Sequence, residues 1–167
     1  MTKLVMPKID RKLISIKVDV IADLKKIVKA ENVLDHEDQV RPYETDALSA
    51  YKQKPLAVIF PENTKEVSKI LAYCNQQRIK VVPRGAGTGL SGGALPLADS
   101  ILLCLGKFNK IINIDYKNRC VVAQPGVTNL SITQAVEDKG FYYAPDPSSQ
   151  IACSIGGNVA ENSGGVH

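Results

Sequence analysis

Tryptophan is absent from the 167 residues, aromatic side chains make up 5%, and histidine occurs only at His36 and His167. Two histidines this far apart argue against a histidine-based metal centre, and no metal site is expected. Cysteine is sparse too: Cys74, Cys104, Cys120 and Cys153 lack the paired spacing of a zinc site, so free, mostly buried thiols in a reducing compartment are expected. Long hydrophobic runs are missing, since stretches such as Ile101–Leu105 fall far short of the ~18 residues that a membrane helix needs. Asp10, Arg11, Lys12, Lys17 and Asp19 interrupt any apolar stretch near the N-terminus, so no signal peptide is expected. Neither sign of charge dominates, with 21 Lys and Arg against 17 Asp and Glu. The basic excess lies in residues 1–80, scattered among acids rather than drawn into a stripe, which gives nucleic-acid binding little support. The most informative absence is glycine: none of the 12 precedes Gly85.

What is present suits a globular chain able to bury about two-thirds of its unfolded surface. Val20, Ile21, Leu24, Ile27 and Val28 recur at helical spacing and predict a helix over 18–29, followed by a polar loop through Arg41 and Pro42 to Tyr51. Leu56–Phe60 reads as a short strand stopped by Pro61. Asn63 and Glu66 form a capping-box pattern, and Val67, Ile70, Leu71 and Cys74 give the stripe of a helix ending near Arg78. Val81 and Val82 begin a second strand, making a βαβ unit whose right-handed crossover requires parallel strands. Ile101–Leu105 is a further strand. Lys110–Asp115 and Cys120–Gln124 flank a turn at Lys117 and Asn118 as an antiparallel hairpin, and a helix from Thr128 to Lys139 closes at Gly140. The fold class is therefore α+β, a βαβ unit followed by a mixed or antiparallel part.

Two glycine-rich segments carry the chemistry. Between Gly85 and Gly93 five of nine residues are glycine, far more than a plain surface turn needs. Backbone amides freed of Cβ atoms can curl into a nest for an anion such as a pyrophosphate, with Arg84 adding charge. No lysine follows as a Walker A loop requires. Gly87, Gly89 and Gly92 fit G-x-G-x-x-G, with Asp115 as a downstream acid, but Pro96 and the strand at Ile101 leave little room for the helix that this fingerprint opens. Gly89–Gly93 also fits G-x-S-x-G around Ser91, without the strand before it or a well-placed histidine after it. The second segment, Gly156-Gly157-Asn158 through Gly164-Gly165, read alone suits a tightly packed helix start. Taken with the first, it suits a large ligand gripped by two backbone-lined loops.

Four stretches in order, Pro83–Ala94, Gln124–Val127, Tyr143–Ser149 and Gly156–Gly165, resemble the FAD-linked oxidases of the vanillyl-alcohol oxidase/p-cresol methylhydroxylase type. Within that superfamily they are most similar to the glycolate oxidase flavoprotein subunit and the FAD-dependent D-lactate dehydrogenases, a likeness that Arg41–Asp46 extends toward the N-terminus. The resemblance implies a two-subdomain FAD-binding domain with the flavin between its halves: residues 1–54 an N-terminal helix and loop, 55–106 the first subdomain, 107–167 the second, incomplete at its C-terminus. Pro83, Arg84, Gly85, Ala86, Gly87, Thr88, Gly89, Leu90 and Ser91 would cradle the pyrophosphate. Pro125, Gly126, Val127, Pro145, Asp146, Ser148, Ser149, Gly156, Gly157, Asn158, Ala160, Asn162 and Gly165 would line the rest of the cofactor. The implied chemistry is hydride transfer from Cα of a small 2-hydroxy acid to flavin N5, with an iron–sulfur electron-transfer subunit as partner and a place in the cytoplasm or peripheral to the inner membrane. No histidine lies between Arg84 and Ala94, so FAD is expected to be non-covalent.

Family members continue beyond this point, and most residues that bind substrate or act as base lie in that continuation. The catalytic residue is therefore unknown here. Asp46, Asp115 and Asp146 read as loop caps and turn formers, and a truncated chain without turnover of its own is expected. The alternative is a non-catalytic flavin- or nucleotide-binding module acting through a partner chain. Gly157→Val separates a flavin site from a nicotinamide one: flavin binding should be lost, whereas nicotinamide binding through the first loop and Asp115 would survive in equilibrium dialysis.

Overall fold

The computed structural model describes residues 7–167. Helix α1 (Arg11–Ser15) starts at Asp10, whose carboxylate accepts from the Lys12 amide, and α2 (Lys17–Ile27) buries Val20, Ile21 and Leu24 on one face. The predicted polar loop beyond α2 is more structured than its sequence suggests. It holds a 3-10 turn (Ala30–Asn32), the short strand β1 (Val33–Leu34), the one-turn helix α3 (Glu37–Val40) and a second 3-10 turn (Arg41–Tyr43). Elements this short carry no readable hydrophobic period.

Strand β2 (Ala57–Ile59) leads to α4 (Thr64–Gln77), capped by Asn63 Oδ1 accepting from the Glu66 amide. The reciprocal arm of the capping box reaches one residue further back, because Glu66 Oε2 accepts from the Glu62 amide. Arg78 ends the helix in the left-handed conformation, φ 55°. Ile70 and Cys74 are buried, but Leu71, assigned to the same stripe, is 45% exposed because it lies one residue round the helix from Ile70.

Strands β3 (Lys80–Arg84) and β4 (Ser100–Cys104) complete a sheet of order β1-β2-β4-β3. β2 and β3 are both parallel to β4, so the crossover through α4 leaves a gap that β4 fills. Composition explains the order. Every residue of β4 is buried, whereas β3 carries Lys80, Pro83 and Arg84, and a proline belongs on an edge. Side chains alternate between two layers: Ala57, Ile59, Ile101 and Leu103 pack under α2 and α4, while Val58, Leu102 and Cys104 face Val40, Tyr43 and Phe60.

The remainder is built on the antiparallel hairpin of β5 (Ile111–Asp115) and β6 (Cys120–Ala123), with a register shift between Ile111 and Asn113. The predicted helix from Thr128 to Lys139 is split. Helix α5 (Asn129–Gln134) stops at Ala135, and a 3-10 turn (Glu137–Lys139) runs into Gly140 at φ 76°. Ser131, Ile132 and Thr133 are weak helix formers, and the Thr133 hydroxyl accepts from the Tyr143 amide, which draws the chain back across the helix end. Helix α6 (Ile155–Glu161) follows. The architecture is the expected α+β: a four-stranded mixed sheet and a separate two-stranded antiparallel sheet.

Glu62 joins three stretches of chain. Its carboxylate accepts from Lys29 (2.9 Å to Oε2), Asn32 (3.1 Å) and Lys107 (3.1 Å). These donors, Lys29 foremost, hold it well below the usual glutamate range, at about 2. A carboxyl depressed in the folded state stabilises above its unfolded pKa and loses that contribution as pH falls through its folded value. Glu62→Gln should therefore be less stable than wild type at neutral pH, with the gap narrowing below the ordinary glutamate pKa of about 4.3 and closing near pH 2 in urea titrations.

Candidate functional site

β3 ends beside β4, and the chain then enters the loop 85–94 with no side chain at five positions. Among the described residues, no amide from Gly85 to Ala94 donates to another group of the chain. A run of backbone donors left without partners is a cost unless water or a ligand meets them. The loop is nevertheless held in shape. Arg84 donates from Nη1 to the Thr45 carbonyl (2.7 Å) and stacks 5.8 Å from the Tyr43 ring, and the Ala47 amide donates to the Gly87 carbonyl (2.9 Å). Arg84 thus braces the loop, and its charge is drawn toward residues 43–45. Gly87, at φ 74°, stands where a Cβ would run into that guanidinium.

The loop lies along α6. A Cβ on Gly85 would clash with Ser154 Oγ just before the helix, and one on Gly93 would stand 2.9 Å from Glu161 Oε1 at its end. On the far side α6 docks on the chain leaving β6. Ile155 and Gly156 donate to the carbonyls of Val127 and Pro125 (both 2.8 Å), and a Cβ on Gly156 would lie 2.7 Å from Pro125 Cβ. The second glycine segment is therefore both a tightly packed helix start and one wall of a cleft.

That cleft, of about 300 Å³, runs between the loop, Pro125 and α6. Of the sequence-predicted residues the structure brings Pro83, Arg84, Gly85, Ala86, Gly87, Thr88, Gly89, Pro125, Ser149, Gly156, Gly157, Asn158 and Ala160 to its walls. Asn158 is 7% exposed and its Nδ2 has no hydrogen-bond partner among the described residues, a buried donor open to an acceptor. Leu90, Ser91 and Ser148 lie exposed beyond the lining. Gly126 sits behind it, its amide donating to the Phe108 carbonyl (2.7 Å), and Val127 is buried under α6. The Pro145 carbonyl accepts from Asn129 Nδ2, and Asn162 and Gly165 take left-handed turns after α6.

Asp146 caps the chain end by accepting from the Val166 and His167 amides, and the bonds from His167 hold its carboxyl below the usual range. Asp115 accepts from the Asn118 side chain and amide within the hairpin turn, which lowers its pKa and commits it to structure. Asp46 accepts from the Leu48 amide. All three are the caps and turn formers that the sequence suggested.

Leu105, Cys153, Ser154, Glu161 and Ser163 also line the cleft and were not singled out by sequence. Ser154 had a signal, a serine placed just before a helix. Glu161 had none, since its neighbours in the motif drew the attention. Burial pushes the thiols of Cys74 and Cys104 up to about 11 and about 12, which leaves them inert. No group of acids, cysteines and histidines able to hold a metal occurs among the described residues. A larger hollow, about 670 Å³, lies between the β5–β6 hairpin and Phe141–Ala144; it holds none of the residues expected to contact FAD, and Asp115 is on its wall.

Comparison with known proteins bears on family and fold. The glycolate oxidase subunit GlcD of Escherichia coli is 51% identical over 162 residues, covering 97% of this chain and 31% of that subunit. A D-lactate dehydrogenase of Anaerostipes hadrus is 35% identical over 142 residues, 84% of this chain and 30% of the enzyme. The chain thus spans about a third of the length of the curated relatives it matches. The crystal structure of p-cresol methylhydroxylase with substrate bound superposes with a TM-score of 0.72 over 93% of this chain and 31% of that one, at 22% identity, a likeness of fold. Residues 55–167 match the model of the FAD binding domain family, and the chain belongs to that family.

Proposed function

We propose that this chain is the FAD-holding portion of a flavin-dependent oxidoreductase that oxidises a small 2-hydroxy acid of the glycolate or D-lactate kind. One observation supports the reading above the rest: a cleft lined by residues 85–89, 93 and 94, whose amides have no partner among the described residues, and by the orphaned Asn158 amide group. A dinucleotide brings what those donors lack, a pyrophosphate and ring carbonyls, and the glycine walls leave room for its backbone-close approach. When bound, FAD supplies the hydride acceptor for the oxidation of a 2-hydroxy acid to its 2-oxo acid.

The chain's own contribution is orientation. The loop braced by Arg84 offers backbone donors from one side, Asn158 offers a side-chain donor from the other, and Pro125 and Gly156 set the width between them. We assign residues 55–106 to the first flavin subdomain and 107–167 to the second, preceded by the N-terminal segment 1–54, whose Leu13, Val20 and Leu24 pack into the core of the first. The absence of histidine from 84–94 supports non-covalent attachment. The family resemblance carried by the sequence motifs extends the proposal to an iron–sulfur electron-transfer partner and to a place in the cytoplasm or peripheral to the inner membrane; no helix among the described residues is long and apolar enough to cross a membrane.

The 167-residue chain mixed with FAD and freed of excess by gel filtration should keep flavin absorption bands. Their absence would overturn the reading of this cleft as a sufficient site. The substrate-binding groups and the base are assigned to the remaining two-thirds of the longer relatives, so the loaded chain should not oxidise glycolate or D-lactate. Turnover would place the base among residues 1–167 after all.

A further inference from the structure

Glu161 ends α6 and lays its carboxylate on the glycine-rich loop. A Cβ built on Gly93 would stand 2.9 Å from Oε1, and one on Gly89 would stand 3.6 Å from Oε1 and from Cδ. Both positions lack a side chain, so the carboxylate rests against bare backbone. Nothing nearby on its own helix favours a negative charge. The C-terminal end of a helix presents carbonyls, and among the described residues no lysine, arginine or histidine pairs with Glu161. Glu161 is the one carboxylate lining the cleft and Arg84 the one cation, and Arg84 is engaged by Thr45 and Tyr43. The loop amides near Glu161 have no acceptor among the described residues, Glu161 included.

These amides are the groups that a dinucleotide's pyrophosphate would meet under the function proposed above, on which this inference rests. Two anions placed beside one loop repel, and the repulsion strengthens as water is displaced. We propose that Glu161 is a tethered competing anion: in the free chain its carboxylate stands beside the 85–94 loop at Gly89 and Gly93, accepting from none of the loop amides, and its charge lowers the loop's affinity for FAD by repelling the pyrophosphate. The carboxylate thereby sets how readily flavin exchanges, a role separate from those of the glycines that make the site and of Asn158, which donates into it.

The test compares the full 167-residue chain with Glu161→Gln and Glu161→Ala, titrating FAD and, as a phosphate-free probe, riboflavin, by quenching of flavin fluorescence. Glu161 is exposed, so both variants should fold, as circular dichroism will show. Both should bind FAD about two- to fivefold more tightly than wild type, the scale of one exposed charge–charge interaction, with riboflavin binding unchanged. Binding by the variants where wild type retains none would support the inference equally. FAD binding that is unchanged or weakened in the variants, as when the carboxylate accepts from a sugar hydroxyl, would overturn it and leave the proposed function standing. An equal gain for riboflavin would overturn it too, since the effect would not depend on phosphate. Failure of all three proteins to bind FAD would overturn both.

Discussion

Close approach of glycine backbone to its neighbours is the constraint on which the cleft depends. Gly126 packs against the carbonyls of Leu105 and Phe108 and Gly156 against Pro125, at distances that a methyl group would not allow, and Gly85 packs against the Ser154 hydroxyl. The first contact fastens the hairpin unit to the end of β4. The second seats α6 on the chain leaving β6. The third lays the glycine loop along α6. Because every one of these joints is made by glycine, the walls of the cleft are largely main chain, with few side chains to obstruct them.

Rigidity comes from behind. β4 is buried on both faces and holds β3 parallel to β2, so β3 delivers the loop from the carboxyl end of a parallel sheet. Crevices outside such strand ends are the usual place for a nucleotide in α/β sheets. The short turns over residues 30–43 and the stretch that follows contribute here in a way their length conceals, since Tyr43 and Thr45 hold the Arg84 side chain and the Ala47 amide donates to the Gly87 carbonyl. The Arg41–Asp46 stretch therefore acts as a brace for the loop rather than as part of its lining.

Electrostatically the cleft is spare. One arginine is turned toward its brace, one glutamate is turned toward the loop, and the remaining polarity belongs to amides, hydroxyls and the Asn158 side chain. Such a surface suits a large ligand bound by many small contacts more than it suits acid–base chemistry. The three aspartates that might have competed for a catalytic role are committed to turns and caps.

The amino-acid sequence by itself determined the elements with long or alternating hydrophobic patterns. Helices α2 and α4, the strands at Ala57 and Ser100, the hairpin and the two glycine segments all follow from local spacing and turn chemistry, and the glycines also pointed to a backbone-lined ligand site. Elements of two to four residues between Ala30 and Tyr43 could not be read, because they are shorter than the period that would reveal them. The strand order, with β4 between β2 and β3, was likewise not local information, since it depends on which strand can lose the most water on both faces. Tertiary structure alone decided that Arg84 faces the Tyr43–Thr45 brace, that Asn158 is buried without a partner, and that Glu161 lies across the glycine loop. Those three side chains are separated from their neighbours in space by long stretches of sequence, and only packing brings them together.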